Sequence, residues 1–201
     1  MYYRGINASK YDGVIDWKLI QNSKYKDFAI LRTCHGLKPD EKFMTNYNNY
    51  VLVDKPIGYY QCVYATKLET IRKEANYFLQ TIKPCKKPFL AFVDMEQSAQ
   101  KELGKDKVTE LLNEWLAIVS KAGYECAVYT NPNWYKNHMR PEKVITKYWW
   151  IAQYSKTSKL FKNVGILWQF TSGGLIEGSN NTWELDIGKA DLFKLFWKAK
   201  Q

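Results

Sequence analysis

The amino-acid sequence predicts a single α/β domain, an irregular β/α barrel of about eight strands and about five helices whose last strands are joined by loops. Apolar runs of strand length alternate with amphipathic stretches of helical length through most of the chain. The final strands follow one another with only loops or short turns between them. No Pro/Gly/Ser linker, repeat or low-complexity tract divides residues 1–201, so we expect one domain.

The individual strands are predicted from short apolar runs, and the helices from apolar residues three and four positions apart. Strands are predicted at residues 3–9, 28–34, 57–63, 89–93, 126–130, 148–154, 166–171 and 184–187. A brief helix opens at Asp16 and Trp17, with Asp16 as its N-cap, and longer helices are predicted at 43–53, 66–82 and 108–122. Thr66 and Glu69 predict a capping box for the helix at 66–82, and Gly123 is placed to end the last helix.

The segment PFLAFVDMEQ, residues 88–97, combines a strand buried on both faces with two carboxylates at its carboxyl end. Asp94 and Glu96 alternate, so on a strand they project to the same side with backbones roughly 6.6 Å apart. On a helix the same two residues would point in nearly opposite directions. Paired acids at the mouth of an apolar strand suit general acid catalysis on a glycosidic bond, and the alternative is two solvated acids in a loop.

Further polar and aromatic side chains fall at the ends of the other predicted strands. In β/α barrels the carboxyl ends of the strands carry the site. The residues placed there, which we predict to bind the substrate, are Asn7, Arg32, Tyr60, Tyr129, Tyr154, Gln169 and Asp186. An acidic pair ringed by aromatic and amide side chains has the composition of a saccharide-binding cleft. Each of the tyrosines has a simpler alternative as a core residue with a satisfied hydroxyl.

The composition narrows the choice of partners. Aromatic residues make up 16% of the chain, with 8 Trp and 15 Tyr, which fits a sugar-binding cleft as well as a heavy core. The net charge of +10 favours polyanions such as nucleic acid, anionic lipid or an anionic cell wall. The sequence has no Arg/Lys block, zinc-finger spacing or RNP-like aromatic motif, so we do not expect nucleic-acid binding. The dispersed lysines have a simpler explanation as a solvated surface.

Cysteine spacing and the N-terminal sequence bear on cofactors and location. Cys34, Cys62, Cys85 and Cys126 show no metal-ligand or C-x-x-C spacing, which predicts free thiols and no metal or other cofactor. The N-terminal residues lack a charged region followed by an apolar stretch, and no apolar run approaches the roughly 18 residues of a membrane span. We therefore expect synthesis in the cytoplasm without a signal peptide, no membrane insertion, and action outside only after release.

A series of short motifs, in order from residue 5 to residue 186, resembles glycoside hydrolase family 25, the muramidase type of lysozyme common in phage endolysins and bacterial autolysins. The opening motif G-I-N-A-S resembles the family's G-I-D-V-S, and D-M-E at residues 94–96 resembles its D-x-E. The remaining motifs are D-G-V-I-D-W at 12–17, P-D-E-K-F-M-T-N at 39–46, G-Y-Y at 58–60, Y-T-x-x-x-W within 128–134, W-I-A-x-Y at 150–154, L-W-Q-F-T-S at 167–172 and L-D at 185–186.

The resemblance implies hydrolysis of the β-1,4 bond between N-acetylmuramic acid and N-acetylglucosamine in peptidoglycan. We expect one catalytic barrel without a separate cell-wall-binding domain, acting as a monomer. Glu96 would be the general acid, and Asp94 would stabilise the transition state, either by orienting the substrate's N-acetyl group or as a nucleophile. The apolar strand and the neighbouring carboxylate predict a raised pKa for Glu96. Anionic wall polymers are a second expected partner, attracted by the basic surface.

One position departs from the family pattern, because Asn7 stands where the family has aspartate. An amide keeps the shape and the hydrogen-bonding reach of the acid but cannot ionise. Three function classes therefore stay open: an active muramidase, a wall-binding pseudoenzyme impaired at Asn7, and a basic nucleic-acid-binding protein. We favour the first.

Overall fold

Eight strands close into a barrel in the computed structural model, which describes residues 2–199. The nine strands are β1 (Tyr2–Ala8), β2 (Phe28–His35), β3 (Lys38–Pro39), β4 (Ile57–Cys62), β5 (Ala91–Asp94), β6 (Cys126–Thr130), β7 (Trp149–Ala152), β8 (Leu167–Leu175) and β9 (Thr182–Lys189). The short β3 forms a hairpin with β2 and stands outside the closed ring. The predicted β/α barrel is confirmed.

One strand of the ring runs opposite to the other seven. Strands β1, β2, β4, β5, β6, β7 and β8 run parallel, and the β1–β2 pairing closes the barrel. Strand β9 lies between β8 and β1 and is antiparallel to both. The cause is the connection at residues 176–181, because a parallel return needs a crossover of about a dozen residues or more. This reversal decides which end of β9 faces the site.

Eight α-helices lie within residues 2–199, more than the five expected. They are α1 (Trp17–Asn22), α2 (Phe43–Val51), α3 (Leu68–Ile82), α4 (Ser98–Lys101), α5 (Lys105–Lys121), α6 (Pro132–Asn137), α7 (Lys159–Asn163) and α8 (Asp191–Ala199). The helices α4, α6 and α7 have only four to six residues, too few to show a helical period in the sequence. One of them, α7, interrupts a connection that was predicted to be a loop or short turn.

The two longest helices, α3 and α5, pack against each other, and α5 lies against β5, the strand that ends at Asp94. Phe78 and Trp115 pack with ring centroids 5.1 Å apart, and the Trp115 indole N–H donates to Gln61 of β4 at 2.7 Å. The capping box predicted for α3 is wrong, because the N-cap of the helix is Lys67, one residue after Thr66. By contrast, Asp16 caps α1 as predicted, accepting from two backbone N–H groups.

The prediction of free thiols is confirmed. All four cysteines are free; two are buried, and Cys62 and Cys85 are half-buried. Within the part of the chain that the structure describes, no group of three or more His, Cys, Asp or Glu side chains is arranged to hold a metal ion. No described helix combines the length and the apolar character needed to cross a membrane.

Candidate active site

A cleft of about 430 Å³ opens at the barrel face where the parallel strands end. Its carboxyl groups are Asp12, Asp94 and Glu184, and Arg32 supplies a positive charge. The other lining residues are Asn7, Ser9, Tyr11, Tyr60, Cys62, Tyr129, Trp150, Gln169, Ser172 and Thr182. A larger groove, of about 730 Å³, runs beside α6 and α7, but its lining includes a single acid, Glu142, among basic and apolar side chains. Paired acids therefore place the candidate site in the cleft.

The acidic pair straddles the end of β5. Asp94 is the last residue of the strand, and Glu96 lies in the turn before α4, so the two do not alternate along one strand as predicted. Both are half-buried, and Glu96 lies beside Asp94 rather than in the wall of the cleft. Burial, reinforced by the charge of Asp94, raises the pKa of Glu96 to about 8, and burial raises the pKa of Asp94 to about 6. The two carboxyls titrate as a pair, and the higher pKa of Glu96 favours this residue as the one that keeps a proton.

Asn131, at the end of β6, orients Glu96. Its side-chain amide donates to Oε1 of Glu96 at 2.8 Å. Its carbonyl oxygen accepts the backbone N–H groups of Asn133 and Trp134, at 3.0 and 3.1 Å, because Asn131 is the N-cap of α6. The capping role fixes the amide so that its NH₂ faces Glu96. Sequence reasoning missed Asn131, although an Asn directly before a Pro at the first helical position is an N-cap signal.

Among residues 2–199, the carboxyl of Asp94 has one hydrogen-bond partner. The thiol of Cys62 donates to Oδ2 at 3.0 Å, because the two residues stand opposite each other on β4 and β5. The other oxygen, Oδ1, is buried and has no partner within residues 2–199. The thiol and the positive charge of Arg32 lower the pKa of Asp94 against the effect of burial. An unsatisfied acceptor in a cleft is available to a donor from a bound molecule.

Arg32 is held in place from two sides. Its Nε and Nη2 atoms both lie 2.7 Å from Oδ2 of Asp40. The Tyr11 ring lies 4.8 Å from the guanidinium carbon. Asp40 also accepts the backbone N–H groups of Lys10 and Lys42, so the ion pair is anchored to the backbone. The guanidinium is therefore a fixed charge at the cleft.

Gln169 joins two of the predicted tyrosines. Its Oε1 accepts the hydroxyls of Tyr129 and Tyr154, each at 2.9 Å, which leaves its NH₂ group as a donor. Tyr129 and Tyr60 both pack edge-on against Trp150, with centroids 4.7 and 5.8 Å from its ring. Tyr154 is 57% exposed and lies outside the cleft wall.

The direction of β9 sets the depth of its two acids. Glu184 stands opposite Asn7 and lines the cleft, whereas Asp186 stands opposite Gly5, one layer deeper, and is fully buried. Oδ2 of Asp186 accepts from the Asn7 amide at 2.8 Å, and Oδ1 accepts from the Trp150 indole at 2.7 Å. The structure thus places Asp186 beneath two cleft residues, which it supports, and not at the cleft surface where it was expected.

Glu184 was not predicted. On an antiparallel strand the amino end faces the site, so a search of carboxyl ends passes over it. Burial and, to a smaller extent, the charges of Asp12 and Asp94 raise the pKa of Glu184 to about 7, against the opposing charge of Arg32. The cleft therefore contains a carboxyl group, that of Glu184, in addition to those of the D-x-E motif.

Two carboxyls whose pKa values are pushed apart, at the mouth of a barrel and beside aromatic, hydroxyl and amide groups, define a glycosidase site. The family model described as "Glycosyl hydrolases family 25" matches residues 6–179. The chain belongs to this family and is a glycoside hydrolase of the lysozyme type, with peptidoglycan as its substrate class.

Several solved structures are similar to this chain. The CTP1L endolysin is 25% identical, with a TM-score of 0.83, and the match covers 98% of this chain and 70% of that one. The catalytic domain of the Listeria monocytogenes phage endolysin ply40 is 22% identical, with a TM-score of 0.82 and 98% of each chain covered. The modular autolysin LytC from Streptococcus pneumoniae is 18% identical, with a TM-score of 0.83, 94% of this chain covered and 47% of that one. No curated protein matches the chain.

Proposed function

We propose that the chain is a muramidase that hydrolyses the β-1,4 bond between N-acetylmuramic acid and N-acetylglucosamine in peptidoglycan. Glu96 is the general acid, and Asp94 is the carboxylate that stabilises the transition state. The observation that carries the proposal is the acidic pair itself: burial and mutual charge keep Glu96 protonated at pH values at which Asp94 is ionised.

General acid catalysis requires a proton on Glu96 and a fixed direction for its delivery. The Asn131 amide donates to Oε1 of Glu96, which favours Oε2 as the oxygen that carries the proton to the leaving group. Protonation of the leaving oxygen by a positioned acid contributes about 10²–10⁴-fold to the rate. The pKa of about 8 means that this proton is present at neutral pH.

Asp94 acts on the sugar on the other side of the bond. Positive charge develops at the anomeric carbon in the transition state, and an ionised carboxylate in the cleft stabilises this charge. The unpartnered Oδ1 of Asp94 also requires a donor, and the acetamido N–H of the substrate supplies one. An acetamido group held in this way has its carbonyl oxygen directed at the anomeric carbon. This supports assistance by the substrate's own N-acetyl group over direct attack by Asp94.

The other cleft side chains offer sugar hydroxyls and amides their hydrogen bonds. The proposed substrate contacts are Asn7, Arg32, Tyr60, Tyr129, Tyr154 and Gln169, with Asp186 acting through Asn7. The net charge of +10 supports attraction to anionic wall polymers in addition to peptidoglycan.

A second candidate is a wall-binding pseudoenzyme, and the observation that favours it is the amide at Asn7 in place of the family's acid. Mass spectrometry of fragments released from purified peptidoglycan and then reduced with borohydride separates the two. Reduced muramic acid at the new ends is the expected result, and Glu96→Gln is the control. Reduced glucosamine ends would contradict the proposed bond. Wall binding without any release of fragments by the folded wild type would support the pseudoenzyme.

A further inference from the structure

Cys62 is the one thiol in the cleft, and no step of the proposed reaction uses it. It is the last residue of β4, directly opposite Asp94 in the pairing of β4 with β5. Its sulfur lies 3.0 Å from Oδ2 of Asp94, short for a sulfur donor, and is the only donor to this carboxyl within residues 2–199.

We propose that Cys62 is a positioning residue for Asp94: the S–H group anchors Oδ2, favours the ionised carboxylate and leaves Oδ1 turned toward the substrate. The inference rests on the proposed function for the role of Asp94 in catalysis. The hydrogen bond itself is a property of the folded protein and can be measured without substrate.

The surroundings of Asp94 make this one hydrogen bond important. The titratable or charged groups that face Asp94 come from four strands, the turn after β5 and the segment after β4. They are Arg32, Tyr60, Cys62, Tyr64, Glu96, Tyr129 and Glu184. Among these, only Arg32 and Cys62 stabilise the negative charge, and the Arg32 guanidinium is already engaged by Asp40. Burial opposes the ionisation of Asp94.

The thiol is suited to a permanent donor role. Burial and the adjacent carboxylate raise the pKa of Cys62 well above its ordinary value, so the sulfur keeps its proton wherever Asp94 is ionised. The same effect makes Cys62 a poor nucleophile, because the thiolate is the reactive form. A covalent role for Cys62 therefore has no support in this geometry.

The test compares Cys62→Ala and the similarly sized Cys62→Val, which remove the donor, with Cys62→Ser, which keeps one. Cys85→Ala is the matched control, because Cys85 is also a half-buried free thiol and does not line the cleft. The first readout is the pKa of Asp94, measured by a pH titration. NMR of the whole chain, labelled with ¹³C at the aspartate carboxyls, detects this titration. The second is the pH dependence of kcat/KM on soluble peptidoglycan fragments.

We expect loss of the donor to raise the pKa of Asp94 by about one unit and to lower kcat/KM on the acidic limb by up to about tenfold, with little change near the optimum. Cys62→Ser and Cys85→Ala should retain the wild-type pKa and profile. An unchanged Asp94 pKa in the folded Ala or Val variant would overturn the inference, as would an equal shift in Cys85→Ala. A shifted pKa in a protein whose wild type releases no fragments would leave the hydrogen bond established and refute the proposed function instead.

Discussion

Replacing Asn7 with aspartate would put a carboxyl oxygen where the amide nitrogen now lies, 2.8 Å from Oδ2 of Asp186. Two buried carboxylates at that separation cannot both ionise, so the pair retains a proton. In Asn7→Asp, one acid therefore has a raised pKa in the folded protein, while in the unfolded chain it stays near ~3.9. Above that pH the folded state binds a proton that the unfolded state has lost, and stability falls as the pH rises.

The size of this effect follows from linkage. One retained proton lowers the free energy of unfolding by about 1.4 kcal/mol for each pH unit above ~4, or up to about 4 kcal/mol at pH 7 if the proton is held that far. For a domain of this length, that corresponds to a fall of at most roughly 8–16 °C in the unfolding midpoint between pH 4 and pH 7 relative to wild type. It is an upper bound because burial already raises the pKa of Asp186 in the wild type. Thermal unfolding of both proteins across this range measures it. Asn76→Asp, on the exposed surface of α3, adds the same formal charge and should show no such dependence.

Activity should respond in the same direction. Asn7 and Asp94 line the same cleft, so Asn7→Asp moves part of the negative charge of the pair from Asp186, in the layer beneath, to the cleft surface. This makes Asp94 and Glu96 harder to ionise. The optimum for wall lysis should therefore move to higher pH, and more clearly than the maximal rate changes. Equal destabilisation of Asn7→Asp at pH 4 and pH 7 would refute the shared proton. If the wild type is inert and Asn7→Asp gains strong lysis, the pseudoenzyme replaces the active enzyme.

Three further outcomes are expected. Glu96→Gln should lower peptidoglycan hydrolysis by at least about 10²-fold without lowering the unfolding midpoint, because the amide cannot protonate the leaving oxygen. Asn131→Ala should cost about 1 kcal/mol of unfolding free energy through the lost N-cap of α6. It should also move the alkaline limb of the pH–activity profile upward, since the Asn131 hydrogen bond lowers the pKa of Glu96. Raising salt from 0.1 to 1 M, which shortens the Debye length from about 10 to about 3 Å, should slow lysis of intact cells more than cleavage of short soluble fragments.

Each of these outcomes has a control. Glu102→Gln removes an exposed carboxyl beyond α4 and should not affect hydrolysis. Near wild-type lysis by folded Glu96→Gln would exclude Glu96 as the general acid. Asn131→Ser keeps an N-cap oxygen and so should restore stability without restoring the alkaline limb. If Asn131→Ala leaves that limb unmoved, Asn131 does not orient the acid. Equal salt dependence for cells and fragments would show that the basic surface has no role in attraction.

The fold was predictable because strand-length and helix-length patterns alternate along most of the chain. The short helices were not, since α4, α6 and α7 are formed by turn geometry and caps rather than by an apolar face. The capping box failed for a related reason: Thr66 and Glu69 have the right spacing, but the helix begins at Leu68, which makes Lys67 the cap. The spacing of Thr66 and Glu69 identifies a possible N-cap but does not decide at which residue the helix begins.

Site residues could be predicted on those strands whose direction could be predicted from the sequence. Residues such as Asn7, Tyr60 and Gln169 lie at carboxyl ends of parallel strands and do line the cleft. For β9 the same rule selected Asp186 and passed over Glu184, because the antiparallel direction of this strand is set by a short loop and was not read from the sequence. The roles of these side chains in substrate binding stay predictions.

The order of the two pKa values, on which the proposed chemistry depends, comes from residues distant in the sequence. Asp94 ends a strand and receives its hydrogen bond from Cys62, 32 residues earlier, with Arg32 lowering its pKa further. Glu96 has left the strand and meets an amide 35 residues later, at Asn131, which capping holds in place. A D-x-E motif supplies two acids but does not decide which one keeps the proton. Because the barrel closes these neighbours around the pair, a substitution at Cys62 or Asn131 changes the pH range of the reaction without touching either acid.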